Sequence, residues 1–166
     1  MGSGLGPRSR RAAAALAACF ALVATLALSG CTSPGSAKIA TNSAYIPQPT
    51  TPGTTVAYMD IRNNAKTTDR LVAATTSVGG RVSFLAPDGM TGSGTMIMKT
   101  VQGISIPSQA IVRMNPNSFR LRITGAGKMQ GGKDIIITLR FAHAGKVTVV
   151  ALVTNPASGG GSYFLN

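Results

Sequence analysis

The chain has 166 residues, with 16 Lys and Arg against four Asp and Glu, a formal net charge of +12, one His and no Trp. A balance this basic favours anionic partners. With aromatic residues at 5% there are too few stacking platforms for nucleic acid, so that class of partner is excluded.

In chain order, the first segment is a targeting leader. Arg8, Arg10 and Arg11 form a positive n-region, and Ala12 to Leu28 is uncharged and mostly Ala, Leu, Val and Phe. The run is short for a transmembrane span. It ends in "LSGC", where small Ser29 and Gly30 precede Cys31, a pattern similar to a bacterial lipobox. The pattern implies cleavage after residue 30, a diacylglycerol on Cys31, and a protein lipid-anchored at the extracytoplasmic face of the cell membrane. Cleavage would remove the three arginines, lowering +12 to +9, and also Cys19. Cys31 is then the only thiol and carries lipid, so no disulfide and no Cys-based site remains.

Residues 31–41 read as the lipidated cysteine and a tether of Ser, Thr, Pro, Gly and Ala, residues 42–156 as one domain, and "ASGGGSYFLN", 157–166, as a Gly/Ser-rich tail. Within the domain, apolar residues recur with period two, which predicts strands at Ala44–Pro47, Thr55–Arg62, Arg70–Thr75, Val82–Leu85, Thr95–Thr100, Ala110–Met114, Phe119–Ile123, Asp134–Phe141 and Lys146–Val153. Turn chemistry separates them at Pro52-Gly53, Asn63-Asn64, Gly79-Gly80, Pro87 to Gly89, Gly131-Gly132 and the "AHAG" hairpin, Ala142 to Gly145. Ile135, Ile137, Leu139 and Phe141 fall on one face of their strand, with Ile136, Thr138 and Arg140 on the other. About nine short antiparallel strands and no long amphipathic helix predict an all-β, Greek-key sandwich or small barrel.

The stretches "VAYMDIRNNAKTTDRLVAATTSVGGRV" (56–82), "IPSQAIVRMNPNSFRLRITGAGK" (106–128) and "ITLRFAHAGKVTVV" (137–150), in this order and spacing, resemble the PCuAC family of extracytoplasmic copper chaperones. The resemblance implies a cupredoxin-like β-sandwich and a role in copper delivery for cytochrome oxidase assembly. It also implies Cu(I) ligands: a His after the "GRV" strand, a Met about a dozen residues on, and a later His-x-Met pair. Here the first position falls on Leu85, the Met on Met98 or Met96, and the pair on Arg120 and Arg122 of "FRLRI". Guanidinium groups have no lone pair to give to a soft cation, so the resemblance implies a degenerate copper site. The same two arginines suit a carboxylate or phosphate on a membrane-protein or envelope partner.

Met96 and Met98 share a strand face, and Met90 and Met129 lie in Gly-rich segments, so substitute thioether coordination of Cu(I) is the alternative. Core filling is the weightier reading of these methionines, and the clear one for Met59 and Met114. His143 reads as a solvated turn residue, and the four aspartates as solvated or turn-capping. "GAGKMQGGK", Gly125 to Lys133, is a connection between strands rather than a phosphate loop. Without a nucleophile, a carboxylate pair or a second histidine, the sequence predicts a protein that is not an enzyme.

Overall fold

The computed structural model describes residues 1–2 and 38–155. The leader, the lipobox with Cys31, most of the tether and the 157–166 tail lie outside the described residues. Ten strands follow in chain order: β1 Ile39–Pro47, β2 Thr54–Asn63, β3 Asp69–Thr76, β4 Arg81–Met90, β5 Met96–Val101, β6 Ile104–Ile106, β7 Ile111–Arg113, β8 Arg120–Thr124, β9 Asp134–Phe141 and β10 Gly145–Thr154. They form one ladder in the order β5-β4-β8-β2-β1-β10-β9-β3-β6, with β7 paired to β2.

β2 makes a sandwich of this ladder. Its first half, Thr54 to Ala57, pairs with β8, and its second half, Asp60 to Arg62, pairs with β7. One continuous strand therefore belongs to two sheets. Their inward side chains, among them Met59, Ile61, Leu71, Phe84, Leu121, Ile123, Ile137, Leu139 and Val153, make a single core. Each fully buried aliphatic of this set contributes about 1.5–3 kcal/mol of transfer free energy, which lets a chain of this size fold on burial alone. All described core residues lie between Ile39 and Val153.

The all-β sandwich agrees with the sequence reading, and so does the alternation in β9, where Ile135, Ile137, Leu139 and Phe141 are buried and Ile136 and Arg140 exposed. Four details correct that reading. First, β1 begins at Ile39, so the last residues of the expected 31–41 tether are strand. Ile39 is buried and pairs with Asn63, a contact that local composition does not reveal. Second, β1 and β10 run parallel, so the strands are not all antiparallel. Third, β6 brings the strand count to ten; at three residues it is too short for periodicity to show.

Fourth, Pro87 to Gly89 is not a turn. β4 runs through it to Met90, with Asp88 skipped in the ladder as a bulge between the pairs Pro87–Met98 and Gly89–Ile97. Gly89 takes φ +130°, a conformation that L side chains rarely adopt. The chain reverses later, in "TGSG", where the Gly94 N–H donates to the Thr91 carbonyl at 2.9 Å and the Thr91 N–H to the Thr95 carbonyl at 2.8 Å.

Candidate functional site

Directly paired residues in a ladder share a face, so the register locates the positions that the sequence singled out. Leu85 is paired with Arg120 across β4 and β8, and Ser83 with Arg122. Leu121 and Ile123 point into the core, which turns Arg120 and Arg122 outward. On β5, Thr100 stands opposite Leu85 and Met98 opposite Pro87, on this same outward face. Three of the four resemblance positions, Leu85, Arg120 and Arg122, thus form one patch, with Met98 two pairs further along β4 and β5.

The patch is not open throughout. Leu85 is 7% exposed. Arg120 is half-buried, and its Nε is sealed from solvent without an acceptor among the described residues. Arg122 is exposed and donates from Nε to Ser83 Oγ at 3.3 Å. On the far side of β8, the pairing with β2 ends at Ala57–Leu121, one residue short of Tyr58. Tyr58 is buried and packs on Tyr45, ring centroids 5.1 Å apart and planes tilted by 39°. Burial, and then the neighbouring Tyr58 phenol, push the Tyr45 hydroxyl above its ordinary pKa. The result is a cationic group paired directly with a buried aliphatic side chain.

The methionines separate into two sets. Met59, Met114 and Met129 are core residues. Met129 therefore takes no part in a thioether cluster at the patch; it pins the Gly125 to Lys133 connection, which is further held by Gly127 N–H to the Val78 carbonyl at 2.9 Å and Gly131 N–H to Gln48 Oε1 at 3.1 Å. Met90, by contrast, pairs directly with Met96, and Met98 lies two residues on from Met96 on the same strand face. Met96 and Met98 are half-buried and Met90 is exposed. Sequence reasoning missed this pairing because it ended β4 at Leu85.

Three of the aspartates and the histidine are engaged away from the patch. Asp69 is buried, and its carboxylate accepts backbone N–H bonds from Arg70 at 2.7 Å, His143 at 2.9 Å and Ala144 at 2.8 Å. It is a turn cap, but a buried one that ties the start of β3 to the β9–β10 hairpin. Burial alone would raise its pKa; the three backbone N–H donors and the nearby His143 outweigh burial and hold it below the usual carboxylate range. His143 itself is exposed, with Nδ1 3.3 Å from Asp69 Oδ1. Asp88 pairs with Lys99 at 2.6 Å and Asp60 approaches Arg113 at 3.9 Å, both on the surface. Among the described residues no three His, Cys, Asp or Glu side chains come together.

This sandwich has the fold of PCuAC domains. The copper-bound PCuAC domain from PmoF2 superposes with a TM-score of 0.59 at 24% identity, covering 72% of this chain and 94% of that one. The apo form of that domain gives 0.58 at 25% identity over 72% and 91%. The Cu(I) form of DR1885 from Deinococcus radiodurans gives 0.55 at 25% identity over 69% and 76%. No curated protein sequence matches significantly. Residues 39–153 match the family described as "Putative lipoprotein LpqE-like", and the chain belongs to this LpqE-like family.

Proposed function

We propose that this protein is a lipid-anchored, extracytoplasmic, non-enzymatic binding or assembly module built on the PCuAC scaffold, in which the place of the copper site has been given to Leu85, Arg120 and Arg122. The observation that carries the reading is the Leu85–Arg120 pair, an aliphatic side chain 7% exposed facing a guanidinium whose Nε is buried. Neither offers a donor to Cu(I), and a fixed positive charge repels it. What the patch offers instead is a pair of N–H-rich cations, of which Arg120 lacks an acceptor for Nε among the described residues. That combination suits a carboxylate or phosphate on a membrane-protein or envelope partner.

The lipid anchor rests on the lipobox at Cys31 and on the family description. Mass spectrometry of the membrane-extracted protein is expected to find the acyl groups on Cys31, and Cys31→Ala to release the domain from the membrane.

A second reading, Cu(I) carried by substitute methionines, is favoured by the pairing of Met90 with Met96 beside Met98. The test of the principal reading is constructive. Leu85→His, Arg120→His and Arg122→Met together are expected to create Cu(I) binding that the unaltered domain lacks. If the triple variant folds and gains none, the assignment of these positions is wrong.

A further inference from the structure

The cations of the domain are not spread evenly. β1 starts where β2 ends, since Ile39 pairs with Asn63 and the Asn64 N–H donates to the Lys38 carbonyl at 2.8 Å. β3 starts at the same end, because Asp69 caps the β9–β10 hairpin, and there Arg140 and Lys146 are directly paired. Lys38, Arg62, Lys66, Arg70, Arg140 and Lys146 therefore crown one end of the sandwich, and all six are exposed. The carboxylate at this end, Asp69, is buried and already engaged by three backbone N–H groups. Of the other aspartates, Asp60 sits three residues before Asn63 and faces Arg113, while Asp134 lies at the far end of β9. Two exposed apolar side chains share the crown: Ile111, paired with Arg62, and Val72, skipped in the ladder between Leu71 and Ala73.

This is also the end at which the chain enters the domain. Ile39 follows Cys31 by eight residues, a span of at most about 28 Å when fully extended. Resting on the lipid anchor of the preceding section, we infer that the crown is the membrane-facing foot of the protein and binds anionic phospholipid head groups. The two acyl chains of a diacylglycerol on Cys31 hold the protein at the bilayer by themselves; a cluster of cations beside them adds attraction to an anionic leaflet and fixes which end of the domain faces it. Each Lys or Arg near an anionic surface contributes about fivefold in affinity. Orientation follows from the position of the crown: β1, β2, β3, β9 and β10 have one terminus toward the bilayer, and the copper-position patch on β4 and β8 is left clear of the crown for a partner.

The test uses the chain from Thr32 onward, which contains every described core residue and carries no lipid. It is sedimented with vesicles of phosphatidylcholine containing 30% phosphatidylglycerol and with pure phosphatidylcholine vesicles. Binding is expected to the anionic vesicles only and to weaken as salt rises. Arg62→Gln, Lys66→Gln, Arg140→Gln and Lys146→Gln together are expected to lower it by roughly 600-fold. The charge-matched set Arg81→Gln, Arg120→Gln, Arg122→Gln and Lys128→Gln is expected to cost less than about fivefold. If the quadruple variant is unstable, the Lys66→Gln, Lys146→Gln pair gives the same comparison on a smaller scale. Equal losses in both sets overturn the proposal, as does absence of binding to the anionic vesicles. Binding through the crown to a soluble glycerol-phosphate polymer but not to vesicles also overturns it, in favour of a wall polymer. Because the assay contains no lipidated protein, its failure leaves the Cys31 anchor standing, and loss of acylation at Cys31 leaves this result standing.

Discussion

Asp69 shows how one side chain can hold two distant parts of a β-sandwich in register. It accepts from Arg70 beside it and from His143 and Ala144 more than 70 residues away, so removing it orphans backbone donors in a partly buried turn. Asp69→Ala is expected to cost about 2–4 kcal/mol in chemical denaturation, whereas His143→Ala, which keeps its backbone N–H, stays within about 0.5 kcal/mol. The pH dependence has a definite sign. The folded pKa of Asp69 is depressed, so its stabilisation is complete above the unfolded value of about 3.9 and is lost as pH falls through the folded value. Below about pH 4 the unaltered domain should lose stability more steeply than Asp69→Asn. Gly80 offers a second test at this scale. A Cβ there would lie 2.8 Å from the Thr124 carbonyl oxygen at φ +83°, while Gly79, at φ +72°, has open space. Gly79→Ala is expected to cost about 1–2 kcal/mol for the left-handed backbone alone, and Gly80→Ala measurably more because the clash adds to it.

At the scale of elements, the parts of the fold legible in the sequence are those where burial and local pattern agree. β9 alternates because one face meets the core, and the "AHAG" hairpin follows from its turn residues. Pro87-Asp88-Gly89 misleads because the residues that favour a turn also favour a bulge, and only pairing with β5 decides between them. That decision matters for the candidate site, since it extends β4 to Met90 and sets Met90 against Met96. β6 and the first residues of β1 were illegible for a related reason: their strand character comes from partners far along the chain, Asp69 to Leu71 and Ile61 to Asn63. Alternation in "FRLRI" identifies Arg120 and Arg122 as outward side chains, but the partners Leu85 and Ser83 emerge only from the ladder. If the β4–β8 pair excludes copper through charge and aliphatic packing, then Arg120→His alone, retaining Leu85, is expected to add no tight Cu(I) binding; the three substitutions are needed together.

At the scale of the whole molecule, the described residues carry two different basic regions on one scaffold. Arg120 and Arg122 stand on the outward face of β8, while six other cations crown the end where the chain enters β1. On the proposed functions the outward patch serves recognition and the crown attachment, and salt should affect them unequally: the crown is exposed and screened within about 8 Å at physiological ionic strength, whereas the half-buried Arg120 is screened less. On the proposed function, this PCuAC scaffold no longer holds copper at the family position. The most direct test of this is anaerobic titration of the lipid-free chain, Thr32 to Asn166, with Cu(I) against a competing chelator. The account predicts no tight stoichiometric uptake. One-to-one binding that Met96→Leu or Met98→Leu abolishes would contradict it and transfer the protein to the copper carriers, with the β4–β5 hairpin as its site.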